Sequence, residues 1–306
     1  MIERILVPLD GSMNAEAILP QVRRLLYRND SEVLLVYAVV PPTSENALLG
    51  AEPALTPARE YLVSKKESLE KAGVRVRAIV RIGSPVGVIL DVVEEEKATL
   101  IAMATHGSSG FTRMLLGSVA EGILRRSPVP VLVLRPFWSY ELVPRGGIEH
   151  RPIRNILLTV DGSDRSAMAI PGVLQLAELF EARILLMRVL ETRKGKPATQ
   201  EECEEAEAQL KELASMIEKK GVETLRLLED GDPVEKILQA VKNQEVDLLA
   251  LTTHGRGGVS RAIMGSVTEK VLRQAPIPLL VTRNATVETV DKGVKAAGKH
   301  EMNMKG

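Results

Sequence analysis

The amino-acid sequence repeats itself once, and this repeat limits the possible folds more than any other feature. The first copy contains Ala104-Thr105-His106-Gly107 and Gly117-Ser118-Val119, and the second contains Thr252-Thr253-His254-Gly255 and Gly265-Ser266-Val267. The two copies of this motif lie 148 residues apart, measured from His106 to His254. Asp10-Gly11-Ser12 also returns, as Asp161-Gly162-Ser163, at a spacing of 151 residues. A repeat of this length predicts two copies of one domain rather than a solenoid of short units.

The length of the chain agrees with two domains. Its 306 residues allow two copies of about 140 residues, each long enough to bury a core without disulfides or metals. We expect the first domain over 1–137, a linker over 138–152 and the second domain over 153–284. The segment 285–306 has few large apolar residues, so we expect a disordered tail there.

Composition and charge narrow the class of protein. Lysine and arginine number 40, as do aspartate and glutamate, so charge favours neither nucleic acid nor an anionic membrane as a partner. Cys203 is the single cysteine and can form no internal disulfide, which is typical of a reducing cytoplasm. The sequence shows neither a signal-peptide pattern nor an apolar stretch of about 18 residues. It therefore predicts a cytoplasmic protein without a membrane span.

Short apolar runs alternate with amphipathic segments, which is typical of βαβ units. We predict two tandem doubly wound α/β domains, each a Rossmann-like five-stranded parallel sheet flanked by helices. The predicted strands are 5–9, 33–40, 74–82, 100–104 and 129–134, then 155–160, 183–189, 224–228, 248–252 and 279–281. The predicted helices are 13–28, 57–72, 85–96 and 118–126, then 164–180, 199–220, 233–244 and 266–274.

Capping signals mark four of the predicted helix starts. Ser84-Pro85 and Asp232-Pro233 each place a capping residue before a proline at the first helical position. Ser118 lies three residues before Glu121, and Ser266 lies three residues before Glu269. This spacing predicts a capping box at the start of both helices.

The candidate binding residues follow the first and fourth strands of each copy. Asp10 and Asp161 follow the first strands, and glycine-rich loops follow the fourth. Doubly wound sheets bind ligands at the carboxyl ends of their strands, where the strand order reverses. If strands one and four are neighbours there, both groups line one crevice. The helix after each loop presents free N–H groups and a positive dipole end, which favour a phosphate.

Each of these residues also has a purely structural interpretation. Glycines form turns, the serines are explained by capping, and an aspartate after a strand can cap the next helix. His106 and His254 lack a second ligand at metal-binding spacing and are interpreted as loop-shaping residues. The sequence contains no P-loop, no dinucleotide-binding glycine motif, no zinc cluster and no nucleophile elbow. It indicates a binding pocket more clearly than a reaction.

The spaced glycines and serine resemble those of the universal stress protein family. Its adenine-nucleotide-binding members carry Gly-x2-Gly-x9-Gly-Ser/Thr after the fourth strand and an aspartate after the first. Both copies match the last two glycines and the serine, whereas Ala104 and Thr252 stand in place of the first glycine. The resemblance implies binding of ATP together with Mg2+, without a catalytic residue or a protein-bound metal. The implied nucleotide-binding residues are Pro8, Asp10, Val39, Ala104, Gly107, Ser108, Gly117, Ser118, Val119, Thr159, Asp161, Val189, Thr252, Gly255, Arg256, Gly265, Ser266 and Val267.

The resemblance also implies a role for each group of residues. The two aspartates would contact ribose or adenine, and the glycines and serines would hold the phosphates. Val39 and Val189, at the ends of the second strands, would meet adenine through backbone groups. Arg256 would bring a cation to the second site, where the first site has Ser108.

The resemblance finally implies an assembly and a function. The apolar fifth strands would pair with each other as an intramolecular pseudo-dimer, because an exposed apolar edge promotes aggregation. A further homodimer is an open alternative. The implied function is that of an ATP-binding, cytoplasmic regulatory module of the stress response. A nucleotide-free scaffold of the same fold and a slow ATPase or nucleotidyl-transfer enzyme are the alternatives.

Overall fold

The computed structural model describes residues 2–26, 31–41, 47–105, 116–135, 152–191, 197–252 and 265–282. We call residues up to 135 the first half and residues from 152 the second half. The described strands are β1 (Arg4–Pro8), β2 (Glu32–Val39), β3 (Arg75–Ile82), β4 (Leu100–Ala104), β5 (Val131–Leu134), β6 (Asn155–Val160), β7 (Arg183–Glu191), β8 (Thr224–Gly231), β9 (Leu248–Thr252) and β10 (Leu279–Thr282). The described helices are α1 (Met13–Glu16), α2 (Leu19–Leu26), α3 (Ala47–Glu70), α4 (Pro85–Glu95), α5 (Ser118–Arg126), α6 (Asp164–Ala167), α7 (Ile170–Phe180), α8 (Gln200–Glu218), α9 (Pro233–Asn243) and α10 (Ser266–Gln274).

All of these strands belong to one sheet, in the order β3-β2-β1-β4-β5-β10-β9-β6-β7-β8. Strands within each half pair in parallel, as β1 does with β2 and with β4. The single antiparallel pairing within the described sheet joins β5 to β10, with Leu132 opposite Leu280. The prediction of two tandem doubly wound domains is confirmed. The predicted pairing of the two apolar fifth strands is also observed, whereas the homodimer stays a prediction.

Two apolar layers cover the two faces of the sheet. Along β1, Ile5 and Val7 face the layer that contains Val22 of α2. Leu6 faces the opposite layer, which contains Val92 of α4. Because both faces are covered, central strands such as β4 and β9 are buried along their whole length, whereas β3 and β8 at the two ends of the sheet also carry exposed charged residues.

The first predicted helix of each half is broken into two. The structure has α1 and α2 in place of a helix over 13–28, and α6 and α7 in place of a helix over 164–180. Pro20 and Pro171 explain the breaks, since a proline has no N–H and its ring clashes with the carbonyl four residues back. Those carbonyls belong to Glu16 and Ala167, the last residues of α1 and α6.

The start of α3 also differs from the prediction. The helix begins at Ala47 instead of residue 57 and continues through Pro57. Since Pro57 has the signature of a first-turn proline, the sequence pattern places the start too late. By contrast, α4 and α9 begin as predicted, with Ser84 and Asp232 as side-chain caps.

A buried ion pair joins the halves away from the sheet. The Nη2 atom of Arg24 in α2 lies 3.3 Å from Oδ1 of Asp247, and the two side chains are 6% and 5% exposed. The same Nη2 donates to the carbonyl oxygen of Pro152 at 2.9 Å. Asp247 Oδ2 in turn accepts from the backbone N–H groups of Arg154 and Asn155. The first half is therefore anchored to the start of the second half as well as paired with its sheet.

Candidate functional site

The strand order reverses between β1 and β4 in the first half and between β6 and β9 in the second. Ile5 lies opposite Leu100, and Ile156 lies opposite Leu248. Asp10 follows β1 and Thr105 follows β4, so both lie at the carboxyl edge of adjacent strands. The condition for a crevice shared by strands one and four is met in both halves.

Asp10 and Asp161 shape the turn after the first strand in the same way. Oδ1 of Asp10 accepts hydrogen bonds from the backbone N and from Oγ of Ser12, at 3.0 and 2.6 Å. Asp161 and Ser163 repeat both bonds at 3.0 and 2.6 Å. The residue between aspartate and serine is glycine in both halves, with φ of 83° and 80°. Asp10 therefore holds the turn and does not cap the next helix, because the N-cap of α1 is Ser12. In both halves a ligand would meet carboxylates that these turns already orient.

The helices that follow the two glycine-rich loops, α5 and α10, are capped by glycine instead of serine. Gly117 and Gly265 are the N-caps of α5 and α10, and neither helix has a side-chain cap hydrogen bond. The predicted capping boxes of Ser118 and Ser266 are wrong, because each serine is the first helical residue and lies one position past the cap. Both serines are exposed, so capping does not explain why both halves carry a serine there.

The partners expected of those capping boxes are engaged elsewhere. Glu121 pairs with Arg125 one turn further along α5. Glu269 pairs with Arg273 in the same way along α10, with Nη2 and Oε1 2.6 Å apart. At Gly117, the N-cap N–H that a capping-box glutamate would accept bonds instead to the Thr105 carbonyl.

Hydrogen bonds to backbone carbonyls fix each helix start to the end of the fourth strand. The Gly117 N–H donates to the Thr105 carbonyl at 2.9 Å. In the second half, Thr268 Oγ1 donates to the Thr252 carbonyl at 2.8 Å. Ala104 and Thr252 are buried, with 7% and 8% exposed. The residues that replace the first motif glycine are therefore buried at the carboxyl edge of the sheet.

The structure separates the two valines that the sequence treats as a pair. Val39 ends β2, but β7 continues past Val189 to Glu191, so the prediction that Val189 ends its strand is wrong. Val39 lies opposite Ile82, and Leu190 lies opposite Asp230, the equivalent residue of β8. Val39 therefore corresponds to Leu190. The three-residue difference in spacing between the halves hides this shift from the sequence.

The other predicted site residues fall in three places. Pro8 ends β1 and Thr159 lies one residue before the end of β6. Val119 and Val267 are partly buried in the first turns of α5 and α10, packed against the core. Gly107, Ser108, Gly255 and Arg256 lie outside the described residues.

The family model for the universal stress protein family matches residues 1–135 and again residues 152–283. The chain belongs to the universal stress protein family. A universal stress protein of Methanocaldococcus jannaschii is 31% identical over 139 residues, which cover 44% of this chain and 82% of that protein. One of Mycolicibacterium smegmatis is 24% identical over 295 residues, which cover 91% of this chain and 96% of the relative.

Solved structures share the tandem fold. A universal stress protein from Archaeoglobus fulgidus superposes with a TM-score of 0.74 at 23% identity, covering 93% of this chain and 100% of that one. A structure from Pseudomonas aeruginosa superposes with a TM-score of 0.63 at 18% identity, covering 92% of this chain and 93% of that one. Both likenesses extend over the two universal stress protein domains.

Sequence reasoning missed an aromatic cluster beside Asp10 in the first universal stress protein domain. The Tyr37 hydroxyl lies 3.3 Å from the Asp10 carbonyl, to which it donates. The Tyr37 ring meets the Tyr61 ring edge-on, with centroids 6.0 Å apart. Tyr61 donates to Glu16 at 2.9 Å, and Lys65 lies 2.7 Å from the same carboxylate. The detectable signal is a tyrosine two residues before the end of β2, within the apolar run that follows Glu32.

Burial and nearby carboxylates act together on Tyr61. Burial raises the pKa of its hydroxyl well above the ordinary value, and the hydrogen bond to Glu16 and the charge of Asp10 raise it further. The tyrosine is therefore a neutral hydrogen-bond donor at any physiological pH.

The described residues contain no group of three or more histidine, cysteine, aspartate or glutamate side chains suited to a metal ion. Among the described helices, none combines the length and apolar character that crossing a membrane requires.

Proposed function

We propose that the protein binds an adenine nucleotide, ATP together with Mg2+, at the carboxyl edge of the sheet and acts as a regulatory module of the stress response. The observation that carries this proposal is the pair of exposed serines, Ser118 and Ser266, at helix starts where capping does not use them. Each helix start belongs to the same strand-order reversal as an oriented aspartate.

The residues fit the chemistry of a nucleoside phosphate. The free N–H groups and positive end of α5 and α10 attract phosphate oxygens, and a serine hydroxyl adds a donor. A glycine N-cap lets an anion approach the backbone without a Cβ atom in the way. The carboxylates of Asp10 and Asp161 are acceptors for ribose hydroxyls. Phosphate oxygens and water would supply most ligands of Mg2+.

Regulation fits the described residues better than catalysis. A general base must accept a proton, whereas Oδ1 of Asp10 and of Asp161 already accepts two hydrogen bonds from its own turn. ATP turnover above about 1 per second, the usual lower limit for dedicated enzymes, would contradict this proposal.

A nucleotide-free scaffold is the second candidate function. It is favoured by the same aspartate turns, since Asp10 and Asp161 have a structural role that does not require a ligand. In that case the serines at the two helix starts would have no function in binding.

Equilibrium dialysis of ATP with Mg2+ against the full chain, stripped of co-purified nucleotide, tests the proposal. We expect saturable binding of one or two ATP per chain. The double variant Asp10→Ala with Asp161→Ala should bind ATP about tenfold or more weakly, because it loses hydrogen bonds to charged acceptors. Circular dichroism verifies that the variant is folded. Absence of binding to the wild type at millimolar ATP would leave the scaffold.

A further inference from the structure

The two halves carry different side chains around the same aspartate turn. Pro8 lies opposite Val36, and Thr159 lies opposite Met187. Tyr37 follows Val36 and Arg188 follows Met187, so these two residues are equivalent. Two neighbouring differences follow the same register: Val40 becomes Glu191 and Ile82 becomes Asp230. The helix residue in contact with this position differs as well, since Tyr61 meets the Tyr37 ring whereas Gln209 accepts from Arg188. The aromatic and apolar residues of the first half are thus replaced together by charged and polar residues.

In the first half this surface is open to a ligand. Tyr37 is partly exposed, and Val40, just after the end of β2, is 63% exposed. The Tyr37 hydroxyl and ring lie 3.8 and 3.9 Å from the position that a Cβ atom at Gly11 would occupy. Aromatic and aliphatic surface therefore lies directly beside Asp10.

In the second half the equivalent position offers almost no surface. Arg188 is 3% exposed and its Nη1 donates to Oε1 of Gln209. An arginine guanidinium can stack on a nucleobase, but a buried and hydrogen-bonded one is not available to do so. The aspartate turn also has a different partner in each half. In the second half the Asp161 N–H donates to Ser166 Oγ at 3.2 Å, whereas in the first half the Asp10 carbonyl accepts from the Tyr37 hydroxyl.

We propose that base recognition belongs to the first half alone, so that the chain binds one adenine nucleotide tightly, beside Tyr37. The second half keeps the helix start for phosphate and binds nucleotide weakly, without contact between the base and an aromatic surface. This inference rests on the proposed nucleotide-binding function. Its physical basis is that contact between a heteroaromatic base and an aromatic or apolar surface makes binding more favourable. Arg188 and Gln209 offer no such contact, because the guanidinium is buried and bonded to the amide.

The first test measures ATP and inorganic tripolyphosphate binding to the full chain with Mg2+ by equilibrium dialysis. Wild-type protein should show one tight ATP per chain. Tyr37→Ala should weaken that site about tenfold, the size expected for one base–aromatic contact, and change tripolyphosphate binding less than about twofold. Tyr37→Phe, which keeps the ring, should bind ATP like the wild type. The matched variant Arg188→Ala should leave the tight site unchanged.

A second test does not depend on how the variants fold. Wild-type protein is irradiated with 8-azido-ATP at a concentration equal to that of the chain, and the labelled peptides are identified by mass spectrometry. The label should fall on peptides from residues 2–41 and not on those from residues 152–191.

The outcomes separate the inference from the proposed function. Two equally tight ATP sites, equal labelling of both halves, or an unchanged ATP affinity in folded Tyr37→Ala would overturn the inference and leave nucleotide binding intact. A wild-type chain that binds no ATP at millimolar concentration would overturn both.

Discussion

At the scale of single residues, two glycines of this chain show how backbone geometry decides the effect of a side chain. Gly11 has φ of +83° and an added Cβ would meet only ordinary contacts, 3.8 Å or more from Tyr37. Gly172 lies in the first turns of α7, without positive φ, and an added Cβ would meet nothing within 4 Å. The two positions offer comparable space and differ in conformation.

We therefore predict opposite effects of the same substitution. Gly11→Ala should destabilise the protein by about 1 kcal/mol, because an L-residue is strained in the left-handed region. Gly172→Ala should stabilise it by up to about 1 kcal/mol, since alanine loses less backbone entropy in a helix. Urea unfolding followed by circular dichroism measures both. Equal effects of the two substitutions would show that space, not conformation, controls these sites.

At the scale of elements, the helix starts divide into those that a side chain caps and those that glycine caps. Ser84 Oγ accepts from the Gly87 N–H at 3.3 Å at the start of α4. Ser118, one residue past the glycine cap of α5, is exposed and is not the capping residue. The two serines therefore have different tasks, although both stand at a helix start in the sequence.

This difference predicts that one serine-to-alanine variant loses stability and the other loses ATP affinity. Ser84→Ala should lose about 1 kcal/mol of stability, the usual value of a side-chain cap, and leave ATP binding unchanged. Ser118→Ala should change stability by less than about 0.5 kcal/mol, as expected of an exposed site. It should weaken ATP binding at the first site about tenfold, through loss of one hydrogen bond to a charged phosphate. Thermal unfolding and equilibrium dialysis give the two readouts. Reduced stability with normal ATP affinity in Ser118→Ala would assign this serine to the fold.

The sequence predicts an element correctly when the signal that defines it lies within a few residues and has one interpretation. Strands β4 and β9 match their predicted bounds because a short apolar run has one interpretation between turn signals. The breaks at Pro20 and Pro171 are also local causes, but the amphipathic pattern on both sides of each proline conceals them. The capping boxes fail because the spacing of Ser118 and Glu121 fits two registers, and only backbone geometry distinguishes them.

The candidate site could be predicted only in part, for a related reason. The repeat identifies what the halves share, such as Asp10 and Asp161, because identical residues stand out in an alignment of the halves. It says little about what they do not share. Tyr37 and Arg188 become comparable only after strand pairing has set the register. The difference between the halves is therefore a result of the structure.

At the scale of the whole molecule, the halves join through features that the repeat does not duplicate. Antiparallel β5 and β10 form the symmetric part of the junction. The buried pair of Arg24 and Asp247 is asymmetric, since the equivalent positions of the other half carry Gln175 and Thr99. A tandem chain can keep such a contact because its halves evolve separately, whereas a dimer of identical subunits must form every contact twice.

The last prediction compares this pair with one on the surface. Arg24→Met should destabilise the protein by about 3 kcal/mol or more, because it leaves the Asp247 carboxylate buried without its guanidinium. Asp247 is 5% exposed in its side chain, so water cannot replace the lost partner. Arg125→Met removes the same group from a pair whose side chains are 35% and 43% exposed and should cost less than about 1 kcal/mol. Urea unfolding measures both variants. Similar losses would mean that the halves are held by the sheet junction alone, whereas the expected difference would show that the asymmetric contact stabilises the tandem arrangement.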